Sequence, residues 1–340
     1  MADKINILKP AAANSSSNNT ATSNTKSLEG NGYNKQLGNV LYGFNHRNTP
    51  LITSTIQHGN DYIFFTRPHF NMMASNLRND RTMTNLITTT SNNTQTFIRQ
   101  TLDPSLAENE KISCPLLNNN LGFIPILSNT LKSMSGWPDR MLPTYASRAG
   151  ARGEQYSIPD GIVELNGKYD LTLTFDRMDG EINEKLLETW MDMMSLQVDG
   201  MVSPYTAFEV YTERNFDTRI YVLTMDATNR VVLNIGVANA AFPTNDNIGR
   251  KFDYNKNIKM ADAEFSIRME TNVITYNDPI LILEFNMVNS FFNNNVYNML
   301  HGQSHNLKKI NADELSKYNY RGYPYIDVNT MELCWYVENN

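Results

Sequence analysis

The chain has few cysteines and no long apolar run. Cys114 and Cys334 are the two cysteines among 340 residues, and they lie too far apart in sequence for a Cys-x-x-Cys motif or a disulfide framework. We therefore expect two ordinary buried thiols. No apolar stretch approaches the roughly 20 residues that a membrane-spanning helix needs. The N-terminus MADKINILKP lacks the apolar core of a signal peptide, so we expect function in a cytoplasm or in a particle assembled there.

An excess of positive charge is also missing. Lysine and arginine total 29 against 35 aspartates and glutamates, which gives a net charge of −6. A protein that grips nucleic acid usually carries a basic stripe that displaces counterions from the phosphates, and the sequence has none. The charge argues against a nucleic-acid binder. It is compatible with a surface past which nucleic acid slides without sticking.

Familiar catalytic motifs are absent from the sequence. No phosphate-binding loop, dinucleotide-binding glycine pattern, nucleophile elbow or His-Glu-x-x-His motif occurs. The spacing of His301 and His305 could place two imidazoles on one helical face. Their surroundings are rich in asparagine, however, and offer no cysteine or carboxylate close by to complete a metal site. We predict no catalytic residue, no metal site and no cofactor, and therefore a protein that is not an enzyme.

Two carboxylate pairs are candidates for general acid–base chemistry. These pairs are Asp170 with Asp176, and Glu264 with Glu270. All four residues occupy polar positions of segments in which polar and apolar residues alternate, and solvated charge is ordinary there. Arg148 and Arg152, in a glycine-containing segment, could contact phosphate but are more simply explained as exposed residues.

The strongest structural signal is hydrophobic periodicity between residues 168 and 270. Residues 168–176 alternate strictly, with apolar side chains at odd positions, and this predicts a half-buried strand. Residues 264–270 repeat the pattern with apolar side chains facing inward at 265, 267 and 269. Between them, apolar residues recur every three or four positions over 179–194, which predicts an amphipathic helix lying on a sheet.

Further strands are predicted at 61–68, 208–211, 219–225, 230–237, 280–285 and 333–337, with a short helix at 312–317. The close spacing of the strands between 208 and 285 favours an antiparallel arrangement. The predicted fold class is α+β and mainly β. It combines an antiparallel β-sandwich or barrel with one flanking amphipathic helix and an irregular N-terminal elaboration.

Composition divides the chain into four segments. Residues 1–40 form a low-complexity N-terminal arm, which is either a floppy tail or a segment that becomes ordered on a neighbouring subunit. An irregular, β-containing elaboration covers 41–155, a β domain covers 156–290, and a C-terminal extension covers 291–340.

One region of the β domain resembles a known family. Between Asn234 and Met269 the chain reads Asn-Ile-Gly-Val-Ala-Asn-Ala-Ala-Phe-Pro-Thr, then Lys-Phe-Asp-Tyr-Asn, then Ala-Glu-Phe-Ser-Ile-Arg-Met. This order resembles the tail tube proteins of tailed bacteriophages, especially those with contractile tails. The resemblance covers about residues 160 to 290, so the β domain is interpreted as tail-tube-like.

The resemblance implies a structural virion protein. Hexameric rings would stack into a tail tube, assembled in the host cytoplasm, through which DNA passes without specific binding. It implies contacts with further copies of the chain, with the tail sheath and with baseplate or neck proteins, and none with a membrane. The polar side of one strand becomes the candidate lumen lining: Glu264, Ser266, Arg268 and Glu270. A turn at Phe242 and Pro243 becomes the candidate ring-to-ring contact.

Two further functions compete with the main tube subunit, besides an enzyme that uses scattered carboxylates or the two histidines. The additional 150 or so N-terminal residues would suit a specialised ring next to the baseplate or the neck of the same tail. A receptor-binding or decoration protein built on a β-sandwich would also fit the composition.

Overall fold

The computed structural model describes residues 59–88, 90–161, 166–211, 214–252 and 263–339, so the predicted N-terminal arm lies outside the described residues. Its strands β1 to β11 are Tyr62–Phe65, Leu131–Ser135, Thr144–Ala146, Ser157–Pro159, Asn166–Asp176, Thr218–Met225, Val232–Pro243, Glu264–Tyr276, Leu307–Ile310, Tyr323–Ile326 and Leu333–Glu338. Its α-helices α1 to α8 are Ala74–Leu77, Thr94–Leu102, Leu106–Asn109, Pro125–Thr130, Ile182–Val198, Thr206–Tyr211, Ile280–Val288 and Asn294–Leu300. Short 3-10 helices cover Met83–Leu86, Ile248–Phe252, Asn289–Phe291 and Ala312–Tyr318.

A six-stranded antiparallel sheet is the centre of the described part of the chain. Its strand order is β1-β6-β7-β8-β5-β2, and its longest pairing joins β8 to β5. A second sheet has the order β10-β11-β9, and β3 pairs with β4 as a separate hairpin. The predicted α+β, mainly β fold class is confirmed, as are the alternating strands β5 and β8.

The first core lies between the sheet and α5. The inward residues of β5 and β8 alternate as predicted, and Phe175 stacks on Phe265 with ring centroids 5.5 Å apart. Trp190 of α5 is fully buried, and its indole N–H donates to the backbone oxygen of Phe216 at 2.9 Å. The apolar stripe of the predicted helix at 179–194 is therefore part of the core. Helix α2 packs against α5 in the same layer.

A second core covers the other side of the sheet at β1, β6 and β7. Aromatic rings from four parts of the chain meet there, with Phe285 lying 5.1 Å from Phe64, 5.2 Å from Phe123 and 5.3 Å from Tyr221. Helix α7 and the β10-β11-β9 sheet supply the outer layer of this core. This side of the sheet is thus buried at one end, whereas its other end, at β8, β5 and β2, carries polar residues.

The described part of the N-terminal elaboration is held by buried polar groups. The Arg67 side chain donates to backbone oxygens of Thr101 at 3.2 Å and of Asn119 at 3.3 Å, and burial lowers its pKa to about 10. Asp103 accepts hydrogen bonds from the Met72 backbone N–H at 2.9 Å and the Tyr205 hydroxyl at 2.8 Å. Burial nevertheless raises the pKa of Asp103 to about 6. The segment is therefore ordered by buried hydrogen bonds together with its apolar residues in the first core.

Two predicted strands are helices. Residues 208–211 lie in α6, and residues 280–285 lie in α7. The run Ile-Leu-Ile-Leu-Glu-Phe fits either state by composition. The helix places Leu281, Ile282 and Phe285 together on the second core, and Pro279 precedes it with φ −56, a backbone angle that suits a helix start.

Other predictions are confirmed with shifted bounds. The strand at 61–68 shortens to β1, those at 219–225 and 333–337 correspond to β6 and β11, and the strand at 230–237 lengthens into β7. The short helix at 312–317 is a 3-10 helix. Cys114 and Cys334 are buried and unbridged, as expected. Across the described ranges, no helix is long and apolar enough to cross a membrane.

Candidate assembly surfaces

The polar side of β5 and β8 forms a continuous exposed surface, called here the polar face. It opposes the first core because side chains alternate across a strand. Antiparallel pairing places four polar residues of β5 directly opposite four of β8: Asp170 with Glu270, Thr172 with Arg268, Thr174 with Ser266, and Asp176 with Glu264. All four residues predicted to line a lumen therefore lie together on this face.

Ion pairs and hydrogen bonds within the polar face neutralise much of its charge. Lys168 Nζ lies 2.8 Å from a Glu270 carboxylate oxygen, and Lys132 of β2 pairs with Glu264. A hydrogen bond to the partner glutamate raises the pKa of each lysine. The hydroxyls of Thr174 and Ser266 lie 3.0 Å apart, within hydrogen-bonding distance.

The polar face is nearly balanced in charge. Its acidic side chains are Asp170, Asp176, Glu264 and Glu270, and its basic side chains are Lys132, Lys168 and Arg268. The two carboxylate pairs considered from the sequence thus belong to one solvated surface, and each glutamate forms an ion pair with a lysine. Sequence reasoning missed the contribution of β2, because the pairing of β2 with β5 joins segments that are distant in the chain.

Phe242 and Pro243 end strand β7, and the turn that was predicted at these residues begins one residue later. Phe242 is half-buried, with its ring 6.1 Å from that of Phe216, and Pro243 is buried. The Thr244 backbone N–H donates to the Arg268 oxygen at 2.9 Å and fixes the start of the loop. The assignment of Phe242 and Pro243 to a ring-to-ring contact stays a prediction.

The hairpin β3–β4 lies between β2 and β5 in the chain and is exposed throughout. Tyr145 lies opposite Ile158, and the Ser147 N–H donates to the Tyr156 oxygen at 2.9 Å. The glycine-containing segment that carries Arg148 and Arg152 is the connection at the end of this hairpin. Strands of three residues without alternation gave no signal from which the hairpin could have been predicted.

The two candidate histidines are not brought together as metal ligands. The His301 ring stacks on Tyr297 with centroids 4.1 Å apart, and its Nδ1 lies 2.8 Å from the Tyr297 backbone oxygen. His305 Nδ1 accepts from the Leu307 N–H at 3.2 Å. Within the part of the chain that the structure describes, no group of three or more histidine, cysteine, aspartate or glutamate side chains could hold a metal ion.

No curated protein matches the chain. Among solved structures, the tube-terminating cap of the anti-feeding prophage is 18% identical with a TM-score of 0.27, and the match covers 46% of this chain and 81% of that chain. A sheath/tube terminator of the extracellular contractile injection system PVC is 16% identical with a TM-score of 0.27, covering 46% of this chain and 87% of that chain.

A family model described as "Putative phage tail tube protein" matches residues 4–340. The match extends well beyond the region in which the sequence itself shows the resemblance, and it includes the N-terminal elaboration and the C-terminal extension. The chain therefore belongs to this phage tail tube family.

Proposed function

We propose that the chain assembles into hexameric rings that stack into a phage tail tube, with the polar face lining a lumen through which DNA passes. The observation that carries this proposal is the polar face itself, an exposed strand surface on the opposite side of the sheet from a fully packed core. Membership of the tail tube family supports a structural role and a place in a phage particle. An enzymatic role has no comparable support.

The charge of the polar face suits a conduit for DNA. Glu264 and Glu270 are paired with lysines, so the surface has neither a basic stripe that would hold phosphates nor a strong field that would repel them. DNA would therefore displace few counterions on this face, and its contact with the lumen would be weak.

Ring formation would also protect the sheet edges. In the described chain, β1 and β2 are the outermost strands of the six-stranded sheet. Exposed edges invite uncontrolled pairing, and closure of strands around a ring removes them. We assign edge-to-edge pairing to the contact within a ring and Phe242 with Pro243 to the contact between rings. Tail sheath and baseplate or neck proteins would bind the outside and the ends of the tube.

The lumen assignment is testable with single cysteine probes, because both native cysteines are buried and should not react. Ser266→Cys places a thiol on the polar face, and Ser304→Cys places one on an exposed C-terminal segment as the matched control. Both variants are labelled with a small maleimide and with a bulky polymer-linked maleimide, before and after assembly.

The unassembled variants should react with both reagents. After assembly, Ser266→Cys should keep its reaction with the small maleimide and react much more slowly with the bulky one, whereas Ser304→Cys should not acquire this size selectivity. Equal access of the bulky reagent to both positions in intact tubes would refute the lumen assignment. Single rings that never stack would favour a terminal ring next to the baseplate or neck.

A further inference from the structure

Helix α7 is apolar on two opposite sides. Leu281, Ile282 and Phe285 are buried in the second core. The other side exposes four large apolar residues, called here the α7 stripe: Ile280 at 54%, Leu283 at 52%, Met287 at 46% and Phe291 at 77% exposure. Spacings of three and four residues keep these side chains on one side of the helix and of the 3-10 turn that follows it. A helix that is apolar all round is normally covered all round.

The surroundings of the α7 stripe are mixed in charge, because Arg214 and Arg219 line the same surface depression as Ile280, Asp278 and Glu284. Residues 270–307 contain no lysine or arginine, and the acidic residues next to the stripe are Asp278 and Glu284. Arg219 of β6 reaches Glu284 at 3.1 Å, while Asp278 is exposed and accepts from the Ile280 backbone N–H at 3.0 Å. A partner for this surface should therefore be apolar, with a basic group placed to meet the exposed Asp278.

The hairpin β3–β4 has these properties. Tyr145 and Ile158 are cross-strand partners, and Tyr156 lies two residues before Ile158, so the three side chains share one side of the hairpin. They are 56%, 52% and 73% exposed in the order Tyr145, Ile158, Tyr156. The connection at the hairpin end adds the exposed Arg148, Arg152 and Glu154, and so carries a small net positive charge.

An isolated two-stranded hairpin is marginally stable in water and is usually completed by packing against another element. Every residue of β3 and β4 is exposed, so the hairpin has no such support from the described part of its own chain. The ten residues 141–150 comprise β3 and the chain on either side of it. When extended they could span up to roughly 33 Å, which is long enough to reach a neighbouring molecule.

We infer that the α7 stripe is the docking surface for the hairpin β3–β4 of a second copy of this chain. Tyr145, Tyr156 and Ile158 pack on Leu283, Met287 and Phe291, and the arginines at the hairpin end approach Asp278. The contact joins two different surfaces and is therefore heterologous, as ring or stack formation requires. The inference rests on the proposed self-assembly and adds to it the surface contributed by the C-terminal half of the chain.

Chemical cross-linking between two singly modified chains tests this contact. Full-length Tyr156→Cys protein is mixed with full-length Met287→Cys protein under assembly conditions and treated with a short bismaleimide. The control replaces the second partner with Leu116→Cys, whose position is 66% exposed and lies outside both surfaces. Electron microscopy of each mixture records whether rings or tubes form.

The expected result is a cross-linked species of twice the chain mass in the Tyr156→Cys and Met287→Cys mixture and not in the control. A second variant, Leu283→Ser with Met287→Ser, should raise the concentration needed for half-assembly about tenfold, since a few central apolar residues carry most of the energy of an interface. Leu116→Ser should leave that concentration unchanged.

The failures of the two proposals differ. Rings or tubes that form without the cross-link, and that tolerate the double serine variant, would overturn the docking inference and leave the tube proposal intact. A chain that stays monomeric at every concentration and yields no cross-link would overturn both.

Discussion

The two sides of β8 should differ sharply in how much they contribute to stability. Ile267 is 2% exposed and belongs to the first core, whereas its neighbour Ser266 is exposed on the polar face. If the polar face packs on nothing within the subunit and acts only in the assembly, replacing its residues should change the free energy of unfolding very little. The test is the pair Ile267→Ala and Ser266→Ala, with Arg268→Ala as a second variant of the polar face.

The magnitudes follow from burial. Ile267→Ala removes three buried carbon atoms and leaves a cavity against α5, and such changes cost roughly 2–5 kcal/mol, so we expect about 3 kcal/mol. Ser266→Ala removes a hydroxyl that lies 3.0 Å from that of Thr174, but water can replace it on an exposed surface. We therefore expect about 0.5 kcal/mol or less for Ser266→Ala and for Arg268→Ala.

The assay is urea unfolding at protein concentrations below assembly, followed by circular dichroism. Unchanged slopes with shifted midpoints would report stability alone. Similar losses for Ile267→Ala and Ser266→Ala would refute the reasoning, because the polar face would then be part of a packed layer inside the subunit.

Three other predictions concern buried groups. Burial raises the Asp103 pKa to about 6, above its ordinary 3.8, so the protonated carboxyl stabilises the fold at low pH and this stability is lost as pH rises from about 4 to 6. Between about pH 4 and pH 7 the unfolding free energy should fall by about 2 kcal/mol relative to Asp103→Asn, and a constant difference would contradict this. Lys251→Ala removes a half-buried amine that forms ion pairs with three glutamates, and it should lower the unfolding free energy measured in urea by about 1–2 kcal/mol. The exposed control Lys317→Ala should lower it by about 0.5 kcal/mol or less. Cys114 and Cys334 should react with a thiol reagent only after unfolding, so fast reaction of the native chain would show that they are accessible.

Local periodicity was the part of the fold that the sequence could predict. Residues 168–176 of β5 and 264–270 of β8 alternate between apolar and polar side chains, and α5 carries a regular apolar stripe, so each has a buried side that the pattern reveals directly. The composition of the candidate lumen lining followed from the same alternation, because the outward positions of β8 could be identified without any knowledge of its neighbours.

Features that depend on distant pairing could not be predicted. Strand β1 pairs with β6, which lies about 155 residues later in the chain, and β2 pairs with β5 across the segment that contains the hairpin β3–β4. The local sequence therefore indicates neither pairing. Helix α7 was mistaken for a strand because a short apolar run fits both states, and its packing on Tyr221 and Phe123 selects the helix. The domain boundaries at 40, 155 and 290 stay predictions.

Electron cryomicroscopy of the particle assembled from the purified full-length chain tests the central claim most directly. The account predicts stacked rings with sixfold symmetry and a central channel lined by the β5 and β8 residues of the polar face, including Ser266 and Arg268. A channel lined by another surface, or an assembly without a channel, would contradict it.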